Sequence, residues 1–434
     1  MSAPTALLAH EWLADRIGDM TDLLDELVAI ETPSTEPATL ASLQDRVEEV
    51  LADLGFTARR VPGIDTAGWS VAHRSCDPPL AAPQLLVGHL DTVWPVGTLA
   101  SRDDIGRDGA RYRGPGSYDM KAGIVQLCFA LRSLEALGLP LAVPPVVLCN
   151  TDEEIGSRES TPAIVALARH ADRVYVLEPS LGPSGRIKTQ RKGVGRFSIT
   201  VAGRAAHAGL DPGVGASAIL ELSHVIQSVF AMNDPDAGVS VNVGTIDGGL
   251  RPNVVAPVST AVVDVRVPTH DDAVRIEAAF ASLQPATPGT TLQVVGGFGR
   301  PPMERTAGTA ALWSLAAEAA AHLGVVLEEA TAGGGSDGNT TAVLAPTLDG
   351  LGAVGGGAHA RDEHVELDRM AERTAVLAAL LAAPPVTAPA PTLPRGGVPT
   401  LVADLPTPAQ VGPITGAEAV RDFIATSHAP TEEA

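Results

Sequence analysis

The chain has 434 residues, 45% of them hydrophobic, and a formal net charge of −21. That length is enough for two domains with a large buried core. The acidic balance reads as a solubility surface and argues against nucleic acid or an anionic membrane as partner. No apolar run approaches the ~20 residues that a membrane helix needs. The first 22 residues lack a basic segment followed by an apolar core, so no secretory leader is expected. Cys76, Cys128 and Cys149 are an odd, widely spaced set. They fit no thiolate zinc pattern and point to a reducing cytoplasm.

Along the chain, residues 11–30 and 38–54 carry Leu, Ile and Val at three- and four-residue spacing, which predicts amphipathic helices. Strand-like runs follow near 56–61, 67–73 and 84–89. A helix over about 121–137 leads to a strand over 143–150, and a helix over 161–169 to a strand over 173–177. Buried strands alternating with helices imply a mainly parallel, three-layer α/β sheet.

The rhythm changes near Gly193. A strand at 194–202, a helix at 214–232, strands at 239–246 and 254–267, a helix at 271–284 and a strand at 291–297 make a β-α-β-β-α-β order. That is the pattern of a small ferredoxin-like α+β domain. A helix at 309–323, apolar segments near 325–330 and 343–354 that return to the first sheet, and a helix at 368–383 follow. Nine of the thirty residues from Pro384 to Pro413 are proline, which rules out a packed core there, and the short amphipathic stretch 417–425 reads as a docking helix on a linker. The expected organisation is a main domain over 1–193 and 306–383, an inserted domain over 194–305, and a proline-rich tail over 384–434.

Five clusters fall where loops leave strands of the first domain. They are His89-Leu90-Asp91, the stretch from Gly114 to Lys121 with Asp119 inside it, Asp152-Glu153-Glu154, Glu178-Pro179 and His359. Each alone has an ordinary explanation as a turn, a helix cap or a solvated loop. Together they supply two imidazoles and several carboxylates at strand ends, where α/β sheets bind ligands. Buried carboxylates repel one another, so such a gathering needs a cation. Nitrogen and oxygen donors without thiolate suit zinc, with cobalt or manganese as alternatives. Asp91, two residues after His89, is close enough to take its second ring N–H.

Taken in order, these motifs resemble the dinuclear zinc amidohydrolase and exopeptidase family of acetylornithine deacetylase, succinyl-diaminopimelate desuccinylase, aminoacylase and carboxypeptidase G, over about residues 15–383. The resemblance implies a three-layer zinc-exopeptidase (phosphorylase/hydrolase-like) catalytic domain, with the ferredoxin-like insertion as a lid and dimerisation domain. It implies two zinc ions per subunit: His89 and Glu178 on one, Glu154 and His359 on the other, and Asp119 bridging them. Asp91 would orient His89, and Glu153 would act as general base on a water between the metals. His359 is preferred to His364 or His207 as ligand because Gly355-Gly356-Gly357-Ala358-His359, with Glu363 four residues on, matches the family's terminal pattern. Met120 stands where several relatives have a second aspartate. The resemblance also implies a cis peptide between Asp119 and Met120.

On the lid, Gly203-Arg204-Ala205-Ala206-His207-Ala208-Gly209 resembles the motif whose histidine reaches a partner subunit's site and stabilises the oxyanion. Asn253 matches a substrate-binding asparagine, and Arg266 an arginine that holds a substrate carboxylate, with Arg300 a second candidate. Arginine suits that task because its planar fork bonds a carboxylate bidentately. Gly333-Gly334-Gly335-Ser336-Asp337 resembles a loop lining the pocket.

The expected activity is zinc-dependent hydrolysis of an amide next to a free carboxylate, a carboxypeptidase G-like release of a C-terminal amino acid by a homodimer. Two other readings stand beside it. One is an N-acyl amino acid deacylase or dipeptidase on the same metals. The other is an inactive relative serving as a binding protein through its proline-rich tail, against which the intact Glu153 and five ligand positions speak.

Overall fold

The computed structural model describes residues 2–74, 82–386, 393–394 and 396–414. Cys76 and the 417–425 segment lie outside the described residues. The described chain divides into two compact units. One runs to Thr189 and resumes over Arg305–Ala332 and Ser336–Ile414; the other is Gln190–Glu304 with Gly333–Gly335.

The first unit is built on a six-stranded sheet in the order Thr57–Val61, Trp69–His73, Pro145–Asn150, Gln84–His89, Arg173–Val176, Thr347–Leu348. The last four strands are parallel, and the first two join antiparallel. The central strands are apolar throughout because both faces are covered. Leu86, Val147 and Tyr175 point to one face, and Leu85, Val146 and Val174 to the other. On the first face lie helices Ser2–Ala14, Ile17–Val28, Ala122–Ala136, Ala307–His322 and Met370–Ala382. On the second lie Thr161–Ala168 and Gly397–Ala403, completing three layers.

Arg173, fully buried, fixes the end of the last long helix by donating to the carbonyls of Ala383 (2.6 Å) and Pro384 (2.7 Å). A cation at a helix C-terminus satisfies carbonyls that the helix itself leaves open. Cys128 and Cys149 are free, buried thiols. Among the described residues no helix is long and apolar enough to cross a membrane.

Three expectations change. Residues 11–30 hold not one helix but two, broken at Arg16, whose backbone leaves the helical region at φ −122°. Its side chain turns back to donate to the Trp12 carbonyl (2.7 Å) and covers the Trp12 ring, so Arg16 closes the first helix. The 325–330 segment does not return to the main sheet. Glu329–Ala332 instead pairs in a separate two-stranded sheet with the strand that begins at Ile187. The proline-rich stretch does pack over part of its length. Val398, Leu401, Val402 and Leu405 are buried with Trp69 and Val71, and Arg59 donates to the Val402 carbonyl. Pro399 sits in the helix's first turn and Pro406 beyond its end, positions where proline costs no ladder bond.

The second unit holds a four-stranded antiparallel sheet in the order Ser240–Gly248, Val258–Val267, Gly193–Ala202, Thr291–Arg300. Helices Ala218–Phe230 and His270–Ala281 cover one face. Strand residues alternate in burial as a one-sided sheet requires, with Phe197, Ile199 and Val201 inward. Phe197 stacks on Phe280 and meets Phe298 edge-on. The connection order is ferredoxin-like.

If the segment after Pro394 is part of the folded unit, Leu401→Ala should lower the free energy of urea unfolding by ~2–4 kcal/mol. An unpacked linker would show a change near zero.

Candidate metal centre

Parallel strands deliver their C-terminal ends to one edge of the sheet, and three of the five site segments arise there. Gln84–His89 ends in His89, Pro145–Asn150 leads into a tight turn carrying Glu153 and Glu154, and Arg173–Val176 leads through Leu177 to Glu178. Asp119 comes from the turn before helix Ala122–Ala136. There Gly116 adopts φ +69°, and a Cβ on it would lie 2.4 Å from Thr92 Cγ2, so the chain can pass only as glycine. The Asp119–Met120 peptide is cis, as the resemblance implied. His359 lies on a loop between two short strands, Gly355–Gly356 and His364–Glu366, of a small sheet completed by Arg111–Arg113 and Gly106–Asp108. Its own φ is +60°, uncommon outside glycine.

These segments bring their side chains together. Asp119 divides its carboxylate: Oδ1 lies 3.2 Å from His89 Nε2 and Oδ2 3.4 Å from His359 Nε2. Glu178 Oε1 stands 3.6 Å from His89 Nε2, and Glu154 Oε2 stands 3.1 Å from His359 Nε2. Ligand atoms of His89, Asp119 and Glu154 all fall within 4.8 Å of one another, as do those of His89, Glu153 and Glu178. His364 is elsewhere, with Nδ1 on the Asp362 carbonyl and Nε2 towards Glu366. The donors fit a divalent cation. Glu154 Oε1 is a buried carboxylate oxygen with no hydrogen-bond partner, a group that costs free energy unless something positive meets it.

Asp91 has more to do than its spacing implied. The His89 Nδ1 proton goes to the Asp91 main-chain carbonyl at 2.9 Å, with carboxylate Oδ1 3.5 Å away. The carboxylate accepts the backbone N–H groups of Glu153 (3.2 Å) and Glu154 (3.1 Å) and the Ser34 hydroxyl (2.7 Å). It therefore holds the Glu153–Glu154 turn. Asp337 braces the same turn from beneath. It accepts Asn150 Nδ2 at 2.7 Å and the Ser157 hydroxyl, while Asp152 accepts the N–H groups of Glu159 and Ser160. Sequence reading placed Asp337 on a pocket-lining loop; its side chain is buried under the turn. Lys188, almost buried, lies 3.6 Å from Glu178 Oε2 and was not singled out from the sequence, where it is one polar residue in a run of them.

Charge explains the protonation pattern. Hydrogen bonds to Asp119 and Glu154 hold the half-exposed His359 imidazolium up to about 10. Burial alone would lower the His89 pKa, yet Asp119, Asp91 and Glu178 raise it well above the usual range. Burial and Glu178 push Asp119 up, and the two imidazoles outweigh them and pull it down. Burial leaves Glu154 raised. The carboxylates thus draw positive charge into the cluster, as protons when nothing else supplies it.

The remaining candidates belong to the second unit. His207 is exposed, and its Nδ1 accepts the N–H groups of Gly209 and Leu210 (both 3.1 Å), which puts the ring proton on Nε2. Asn253 lies beside it, because Ala208 N donates to the Asn253 carbonyl (3.0 Å) and His207 pairs with Val254. Arg266 and Arg300 both pair in register with Val194 and so share one row of the sheet. The Arg266 fork is clasped by Asp264 at 2.8 and 3.0 Å.

The chain is similar to carboxypeptidase G2 of Pseudomonas sp. (strain RS-16), 29% identical over 82% of this chain and 87% of the relative. Succinyl-diaminopimelate desuccinylase of Rhodospirillum centenum is 28% identical over 81% and 94%. Among solved structures, aminopeptidase PepT of Bacillus cereus superposes with a TM-score of 0.70 at 20% identity, covering 84% of this chain and 98% of that one. The metallo-carboxypeptidase Sso-CP2 of Sulfolobus solfataricus gives 0.61 at 17% identity, covering 83% and 97%. These two share the fold. The model of peptidase family M20/M25/M40 matches residues 85–383, a span that holds every residue of the cluster, and the chain belongs to that family of metal-dependent hydrolases.

Proposed function

We propose that the protein is a dinuclear zinc exopeptidase that cleaves the amide next to a free carboxylate and releases a C-terminal amino acid. The division of Asp119 between two imidazole–carboxylate pairs carries the reading: His89 and Glu178 would hold one cation, His359 and Glu154 the other, and Asp119 both. When bound, two divalent cations polarise the scissile carbonyl and acidify water. The protein's own groups do the rest. Glu153, adjacent to a ligand but not needed as one, takes the proton of the attacking water and returns it to the leaving amine. Asp91 keeps Glu153 in place through the turn's backbone.

The lid reading adds a homodimer. Ile219, Leu220 and Phe230 on one helix, and Ile246 on the sheet's edge strand, expose apolar surface that a second copy would cover. The Nε2–H of a partner's His207 would then donate to the oxyanion. Asn253 and the Arg266–Arg300 row would hold the substrate, its carboxylate most of all. A deacylase or dipeptidase reading stays in view because Asp264 already occupies the Arg266 fork, and because one relative is by name a desuccinylase. Hydrolysis of peptides and N-acyl amino acids, each with free or amidated carboxyl end, separates the two. The carboxypeptidase reading requires that C-terminal amidation abolish turnover of peptides.

Glu153→Ala should cut kcat by ~10²–10⁴ while leaving metal content intact, whereas Glu154→Ala should lose metal. Full activity in both would refute the assigned chemistry.

Metal uptake must expel the His359 proton, since ligating imidazole is neutral. In the metal-free protein His359 contributes stability that is complete below its ordinary value of 6.5 and lost as pH rises through about 10. Metal affinity should run the other way, climbing about tenfold per pH unit for each proton expelled. Calorimetric zinc titrations in buffers of different ionisation enthalpy measure that proton release, and a pH-independent affinity without release would contradict the reading.

Mixing inactive His207→Ala with inactive Glu153→Ala protein under subunit exchange should restore about a quarter of the parental sites, because half of the dimers are mixed and each has one intact site. Proven exchange without recovery would leave His207 no part in a partner's site.

A further inference from the structure

Glu363 is among the most completely engaged carboxylates of the described residues. Its side chain is fully buried. Oε1 accepts the backbone N–H groups of Tyr118 and Asp119, both at 3.0 Å. Oε2 accepts the N–H of Gly116 at 2.9 Å and the indole N–H of Trp94 at 2.8 Å. Its main-chain carbonyl faces Gly114 N at 3.4 Å. An ionised carboxylate accepts and does not donate, so four convergent N–H groups suit it as no neutral side chain would. These donors come from two chain segments. Three lie in the turn that carries Asp119, and the fourth follows the His89–Asp91 segment; Glu363 itself closes the loop that carries His359.

We propose that Glu363 is a positioning residue for the metal centre: it sets the path of the Asp119 turn and ties that turn to the His359 loop and, through Trp94, to the segment after His89. The inference rests on the metal-binding reading above and adds the device that keeps the two cation positions in register. Asp119 serves both imidazole–carboxylate pairs, so a displacement of its backbone moves both oxygens at once. Holding its N–H fixes the one group on which both sites depend. Groups behind the ligands typically change metal affinity ~10–100-fold when altered.

Cobalt(II) titration of the full-length, metal-free protein, followed by visible absorption, tests this. The variants are Glu363→Gln, which turns an amide NH₂ towards N–H donors, and Trp94→Phe, which removes one donor and leaves the carboxylate. Glu363→Gln should weaken cobalt affinity ~10–100-fold and change the shape of the visible bands. Trp94→Phe should change both in the same sense, by ~10-fold or less. A merely structural role would lower the melting temperature and leave affinity and spectrum at parental values. That result in both folded variants overturns the proposal. If Glu363→Gln does not fold, parental affinity and spectrum in Trp94→Phe overturn it alone. A parental protein that takes up no cobalt fails the metal reading itself and this inference with it.

Discussion

Carboxylates gathered at one buried edge of a sheet repel one another, and the rest of this structure is arranged around that repulsion. Asp119, Glu154 and Glu178 lie within reach of two imidazoles, and Glu153 stands beside them. In a medium of low polarizability, like charges at these distances are tolerable only beside positive charge. The imidazoles take up protons to supply it, and Lys188 adds its ammonium next to Glu178. A cluster so negative without its protons suits a divalent cation.

Support for the cluster comes from acids that are not part of it. Asp91, Asp152, Asp337 and Glu363 direct their oxygens to backbone N–H groups and hydroxyls of the turns that carry the cluster. Burial pushes the Asp152 carboxyl up to about 7 and raises that of Glu363, while the converging donors pull the other way and stiffen the turns they belong to. The turns are therefore held by polar networks where hydrophobic packing alone would leave them loose. Such preorganisation lets ligands meet a metal without reordering the chain.

Much of this was legible from residue order. Apolar runs such as Leu85–Val87 and Val146–Leu148 read as strands buried on both faces, and parallel strands deliver their following residues to one edge. The insertion was equally readable from its change of period at Gly193. Other features were not. Strands of two or three residues, such as Gly355–Gly356, carry no periodicity of their own and exist because a neighbour pairs with them. Glu363 and Asp337 look like surface acids until the turns they bind are in place. The packed helix after Pro394 was obscured by composition, although Val398, Leu401, Val402 and Leu405 have helical spacing. Prolines at its margins outweighed the pattern within.

The order of segments along the chain also sets a timetable. His89, Asp119, Glu153, Glu154 and Glu178 all precede the inserted unit, whereas His359 follows it, roughly 180 residues later. At ~5–20 residues per second, a ribosome leaves the first donors waiting about 10–40 s for the last. During that interval the nascent chain carries Asp119, Glu153, Glu154, Glu178 and only one of the two imidazoles. The second imidazole arrives only when the whole inserted unit has been made. The cluster can therefore be completed only after the whole inserted unit has been synthesised.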